Sequence, residues 1–210
     1  MMRVEPPYNP LDKKNLGVSV ADALLVRSAE PLQLSDPFIG AGIYAIYYVG
    51  NFPLYEPIAE ANRNGLFNSP IYVGKAVPSG ARKGGYGLEL SPGTALYKRI
   101  KEHAESIEQV RNLEVSDFYC RYLAVDDIWI PLGESLLIEM FSPVWNVLVD
   151  GFGNHDPGKG RYNQQRSPWD EIHPGRPWVL KCQPNKKSAE EIFEQVQAAL
   201  KKMGDGRKAT

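Results

Sequence analysis

The stretch GIYAIYYVG, Gly42 to Gly50, constrains the chain more than any other. It is rich in Tyr, Ile and Val and bounded by glycines, which predicts a β-strand. Alternation places Tyr44, Ile46 and Tyr48 on one face. Tyr44 and Tyr48 are then about 13 Å apart, at roughly 3.3 Å per residue, so the two hydroxyls cannot act on one small group. A second segment, PIYVG from Pro70 to Gly74, predicts a short strand. Tyr44 can face Tyr72 only if the two strands are neighbours. Of the two Tyr-Val-Gly triplets, the distant one at Tyr72 is therefore the partner. The internal one, with Tyr47 and Tyr48, is read as strand packing.

The rest of the chain frames this pair. Val18, Ala21, Leu24 and Leu25 repeat at helical spacing and predict a short helix within Asn15–Arg27. Residues 51–69 exceed a tight hairpin and have room for a helix near Glu56–Asn64. Ala76–Thr94, rich in Gly and Pro, reads as an exposed loop. A helix follows, with Thr94 as N-cap and an apolar stripe of Leu96, Ile100, Ala104 and Ile107. Arg99 and His103 sit at i and i+4, bordering that stripe. Asp117–Val125 predicts a third strand, with Cys120 in its core. IPLGESLLIEMF predicts a helix that ends before Pro143. WNVLV reads as a brief strand or an extended exit. Residues 150–187 read as long ordered loops, because Phe152, Tyr162, Trp169 and Trp178 need packing partners. Ser188 and Glu191 form a capping box for a last helix with Ile192, Phe193, Val196 and Leu200 on one side. The expected class is α/β (α+β): a small antiparallel or mixed three-stranded sheet flanked by helices. The expected division is a 1–40 extension, a 41–149 core with insertions at 51–69 and 76–93, and a loop-rich 150–210 region.

With 210 residues and 43% hydrophobic content, the chain can bury its own core. No apolar run matches a membrane span, and the N-terminal residues lack an apolar signal segment, so a cytoplasmic protein without membrane partner is expected. Two cysteines without ligand spacing argue against a disulfide framework or zinc. The net charge of −1 by itself argues against a nucleic-acid partner. Its distribution says otherwise. Basic residues lead between Lys75 and Lys101, acids dominate from Glu102 to Glu139, and basic residues lead again from Gly151 to Lys187. Local basic patches, not the total, form a footprint on DNA.

Taken in order, GIY at Gly42–Tyr44, YVG at Tyr72–Gly74, Arg99 with His103, and ESLLIEMFSPVWN from Glu134 to Asn146 resemble the GIY-YIG nucleases. Each piece alone is weak, but the ordered set is strong. The flanks, including PIYVGKA and DGFGNHDPGKGRYNQQRSPWDEIHPGRPW, resemble the branch formed by type II restriction endonucleases. That resemblance covers most of residues 39–182. It implies double-stranded DNA as substrate, a GC-rich palindrome of the CCGCGG kind, and a methyltransferase working alongside. The separation of the two tyrosine motifs by residues 51–69 departs from the usual pattern, and His103 stands where other branches place different groups.

The resemblance implies roles that the chemistry makes sense of. Glu134 is the expected ligand of one Mg²⁺, which keeps much of its water and accepts Mn²⁺ as a substitute. Leu137 and Ile138, at i+3 and i+4, place Glu134 on an inward side. Arg99 holds the phosphate through its planar fork, or pairs on the surface with Glu102 or His103. Tyr44 is the expected general base or relay, with His103 as proton acceptor. Tyr72 hydrogen-bonds the phosphate or a metal-bound water. Asn146 ties the site together by hydrogen bonds. Lys75 contacts phosphate or stays solvated. His155 and His173, in loops, are structural or DNA-facing. DNA contacts are expected from Arg82 and Lys83 and from the run Lys159, Arg161, Gln164, Gln165 and Arg166. A palindromic site favours a homodimer, one subunit per strand. A repair or mobile-element nuclease, and a non-catalytic DNA-binding protein on the same scaffold, are the rival readings.

Overall fold

The computed structural model describes residues 7–78 and 91–207. Its centre is an antiparallel sheet of β1 (Glu30–Pro31), β2 (Gly42–Tyr48), β3 (Tyr72–Ala76) and β4 (Phe118–Ala124), in the order β1-β4-β2-β3. The sheet has four strands where three were expected. Two residues cannot show an alternating pattern, and Pro31 is tolerated because β1 is an edge. β2 is the middle of the core, hydrogen-bonded on both sides, and every one of its residues is buried.

Being buried on both faces, β2 serves two cores. Tyr44, Ile46 and Tyr48 face α3 (Ala95–Glu108), whose Leu96, Ile100, Ala104 and Ile107 are all buried. Ile43, Ala45 and Tyr47 face α1 (Lys13–Leu25) and α4 (Ile130–Phe141). Each fully buried aliphatic side chain contributes roughly 1.5–3 kcal/mol of transfer free energy. α1 and α4 approach closely because Gly17 and Gly133 carry no side chain. A Cβ on Gly133 would lie 2.7 Å from Val20 and 3.0 Å from Ile43.

α2 (Glu56–Asn62) fills the 51–69 insertion, and α5 (Val144–Val147), α6 (Pro168–Ile172) and α7 (Ala189–Arg207) follow α4. Trp169, Ile172, Ile192 and Val196 lie in the same core as Tyr44 and Ile46, so the C-terminal third packs onto the sheet. The capping box at α7 forms in both directions: Ser188 N–H donates to Glu191 Oε2 (2.7 Å) and Glu191 N–H to Ser188 Oγ (3.2 Å). Among the described residues no helix is long and apolar enough to cross a membrane.

Two local expectations fail. Thr94 makes no side-chain cap on α3. The backbone carbonyl of Gly40 meets the Leu96 N–H at 2.9 Å instead. WNVLV is neither strand nor extended exit but begins as the single turn α5. That turn sends Trp145 into the core and turns Asn146 onto β3. Its carboxamide accepts from Val73 N–H and donates to Val73 C=O, both at 2.8 Å. Asn146 thus completes the hydrogen bonding of the open edge of β3, between Tyr72 and Gly74. Replacing it with leucine orphans two backbone groups, and urea unfolding should show a loss of roughly 2–4 kcal/mol.

Candidate active site

The geometry of the site begins with a missing side chain. Tyr44 pairs across the ladder with Gly74, and a Cβ there would lie 2.3 Å from the Tyr44 hydroxyl. The ring of Tyr44 lies over that gap, 6.3 Å from the ring of Tyr72. Both rings open onto a cleft of about 640 Å³, whose walls also include Lys75, Arg99, Glu134 and His155. β3 is the edge strand, and its alternation places Tyr72 toward α3 and Lys75 toward α4. The cleft therefore spans that edge, and α3 and α4 both reach it.

Behind Tyr44 lies His103, outside the cleft lining and almost fully buried. Tyr44 Oη and His103 Nε2 are 2.7 Å apart. Burial, aided by the charges of Arg99, His155 and Arg176, holds His103 well below the usual imidazole range. Burial, followed by the nearby Tyr72, pushes Tyr44 well above the usual phenol range. A neutral imidazole carries one lone-pair nitrogen, and with its proton on Nδ1 it accepts from Tyr44 Oη at Nε2. His103 is an empty acceptor at neutral pH, though a weaker base than a free imidazole near neutrality. Burial also raises Tyr72, whose ring lies 5.2 Å from that of His103.

Arg99 enters the cleft with three partners. Its Nη1 donates to Glu102 Oε2 at 3.0 Å and to His155 Nε2, and its Nη2 donates to the Gly153 carbonyl at 2.9 Å. The ion pair with Glu102 and the cleft position occur together. Glu134 turns toward the cleft, and its Oε2 is 2.6 Å from Lys75 Nζ. Lys75 is thus ion-paired in this state, with its side chain still 41% exposed to solvent. Among the described residues no group of three or more His, Cys, Asp or Glu gathers as a metal cage. A lone carboxylate already facing one cation suits Mg²⁺, which takes few protein ligands and completes its shell with water and phosphate. The Lys75 ammonium would have to move aside for such an ion.

The remaining expected residues are dispersed. Asn146 holds β3 and does not line the cleft. Lys159, Arg161, Gln164 and Gln165 are exposed. Arg166 is half-buried, and its Nε–H donates to the Val179 carbonyl at 3.2 Å, which ties it to the body. Arg82 and Lys83 lie outside the described residues. His155 belongs to the cleft, whereas His173 is buried and structural, between the Tyr55 hydroxyl (2.7 Å) and Asn112 Oδ1 (3.0 Å). Sequence reading missed Phe152 and Gly153. Phe152 stacks on the His103 ring at 4.5 Å, and Gly153 holds Arg99. The signal available was the Gly-Phe-Gly triplet 151–153, an aromatic between residues that permit close approach.

A family model described as the Eco29kI GIY-YIG domain matches residues 36–200. No curated protein matches the chain.

The two buried histidines carry a pH dependence. Both are depressed in the folded chain, His173 to about 3, by burial and then by Arg176. Their stabilising contribution is complete above the unfolded imidazole value, about 6.5, and is lost as pH falls toward the folded values. Urea titrations should show stability falling below pH 6.5, by about 1.4 kcal/mol per pH unit for each histidine. His173→Gln should remove one proton from that slope. An unchanged slope would mean that His173 is charged in the folded chain.

Proposed function

Because the chain belongs to the Eco29kI GIY-YIG domain family, a family of type II restriction endonucleases, we propose that it makes Mg²⁺-dependent double-strand cuts at a GC-rich palindrome of the CCGCGG kind. The products are 5′-phosphate and 3′-hydroxyl ends. The observation that carries this reading is the buried Tyr44–His103 hydrogen bond, at the back of a cleft that also holds Arg99 and Glu134.

Glu134 is the residue that would hold Mg²⁺, with Lys75 released from its carboxylate. When bound, the ion polarises the scissile phosphate and stabilises the departing 3′ oxygen. Tyr44 orients the attacking water and takes its proton as the phenol proton passes to His103 Nε2. The depressed basicity of His103 lets it give that proton up again after turnover. Arg99 meets the phosphate with its fork and exchanges the Glu102 carboxylate for a phosphate oxygen. Tyr72 adds a hydrogen bond from the facing strand. The exposed Lys159, Arg161, Gln164 and Gln165, together with Arg82 and Lys83, contact DNA beyond the cleft. One catalytic set per chain and a two-fold site call for a homodimer. Such an enzyme works in the cytoplasm beside a methyltransferase that protects the host site.

The test is digestion of a sequenced plasmid with Mg²⁺, with the ends mapped. Discrete fragments sharing one palindrome are expected, and Glu134→Gln should abolish them. Tyr44→Phe should slow single-turnover cleavage about 10²- to 10⁴-fold. Random nicking would sink the restriction reading and leave a nuclease. A Tyr44→Phe enzyme with undiminished rate would remove Tyr44 from the proton path.

A further inference from the structure

Arg176 is almost fully buried, with its side chain 1% exposed, and it lies outside the cleft lining. A buried guanidinium is costly unless every donor is met. Here four hydrogen bonds and an ion pair engage all three of its nitrogens. Nε and Nη2 meet Asp170 Oδ1 at 2.7 and 2.6 Å. Nη1 donates to the carbonyls of Phe152 (3.2 Å) and Asn154 (3.0 Å), and Nη2 also donates to that of Gly151 (2.9 Å). The rings of Trp169 and Trp178 lie 4.7 and 4.8 Å from its Cζ. Asp170 is held in turn, its Oδ2 accepting from Ser167 Oγ at 2.6 Å.

The backbone bound by Arg176 is the backbone that serves the cleft. The carbonyls of residues 151, 152 and 154 turn toward Arg176. Between them the Gly153 carbonyl turns the other way and accepts from Arg99 Nη2, while Phe152 covers His103. The segment is suspended between two arginines, one buried and one in the cleft. We propose that Arg176 is a positioning residue: by clamping three carbonyls of the 151–154 backbone it aims the fourth at Arg99 and so fixes the fork that meets the scissile phosphate. The proposal rests on the reading of Arg99 as the phosphate-binding arginine. Lysine cannot replace the clamp, because it offers three donors from one point instead of five in a plane.

The test compares single-turnover cleavage by the full chain, Arg176→Lys, Arg99→Lys and the double variant, with DNA affinity and melting measured on each. Arg176→Lys should stay folded and bind DNA nearly as well, yet cut about 10²-fold more slowly, the scale of a small misplacement of a catalytic group. In the Arg99→Lys background it should cost less than about 3-fold more, because the effect travels through the fork that is already gone. Losses that multiply across the two backgrounds would overturn the proposal, as would a folded Arg176→Lys enzyme with the parent rate. Should Arg176→Lys fail to fold, Asp170→Asn carries the same comparison. It removes the charge that holds Arg176 and lies outside the cleft lining. Its loss should likewise vanish with Arg99→Lys, and losses that multiply would again refute the role. If the parent chain does not cut DNA at all, the functional reading fails separately. The positioning is then read from guanidinium NMR of arginine-labelled protein. Arg99 rotation about Nε–Cζ should be slow in the parent and faster in Arg176→Lys or Asp170→Asn, and an unchanged rate would refute it.

Discussion

The structure depends on the burial of β2 from both sides. A strand hydrogen-bonded to two neighbours and covered on both faces has no free direction, so each of its side chains has one place to go. Ile43, Ala45 and Tyr47 are committed to α1 and α4, and Tyr44, Ile46 and Tyr48 to α3. A slip of one residue would exchange these sets and empty both cores. The position of the Tyr44 hydroxyl is therefore set by the whole sheet. The same rigidity makes a 2.7 Å contact with a histidine on a separate helix reproducible, and it excludes the water that would otherwise level both groups toward their free acidities.

The cleft is balanced against itself. Two of its cations are matched to something on the protein: Arg99 to Glu102 and the Gly153 carbonyl, and Lys75 to Glu134. In the proposed reaction, phosphate oxygens and a divalent ion would take the place of those partners. The neutral His103 fits this balance, since a further positive charge behind Tyr44 would be opposed by both burial and Arg99.

Much of this was legible in the sequence wherever side-chain type and period carry the information. The alternation in Gly42–Gly50 marks the faces of β2, ladder geometry selects Tyr72 over Tyr48, and the stripe from Leu96 to Ile107 places Arg99 and His103 beside the sheet. What escaped was written in backbone. β1 is too short for a period, and α5 owes its turn to the demands of Asn146 and Trp145. The carbonyls of residues 151–154 have no residue-type signature, so nothing in the letters links Arg176 to Arg99. Lys75 was read from its place in the chain, as a residue facing DNA or solvent. Its partner on α4 lies far away in sequence and meets it only through the fold.

Gly74 has a wider consequence. The glycine that closes the second motif is a recess shaped for a ring that belongs to the first. The two motifs are thus two halves of a single contact, a socket and its plug, divided between strands. Because the plug reaches its socket across the ladder, the length of chain between them does not enter the fit. The 51–69 segment can grow a helix of its own and leave the mating surfaces untouched. A side chain at position 74 would collide with the Tyr44 ring however long the chain between them, so the glycine and the tyrosine constrain each other directly.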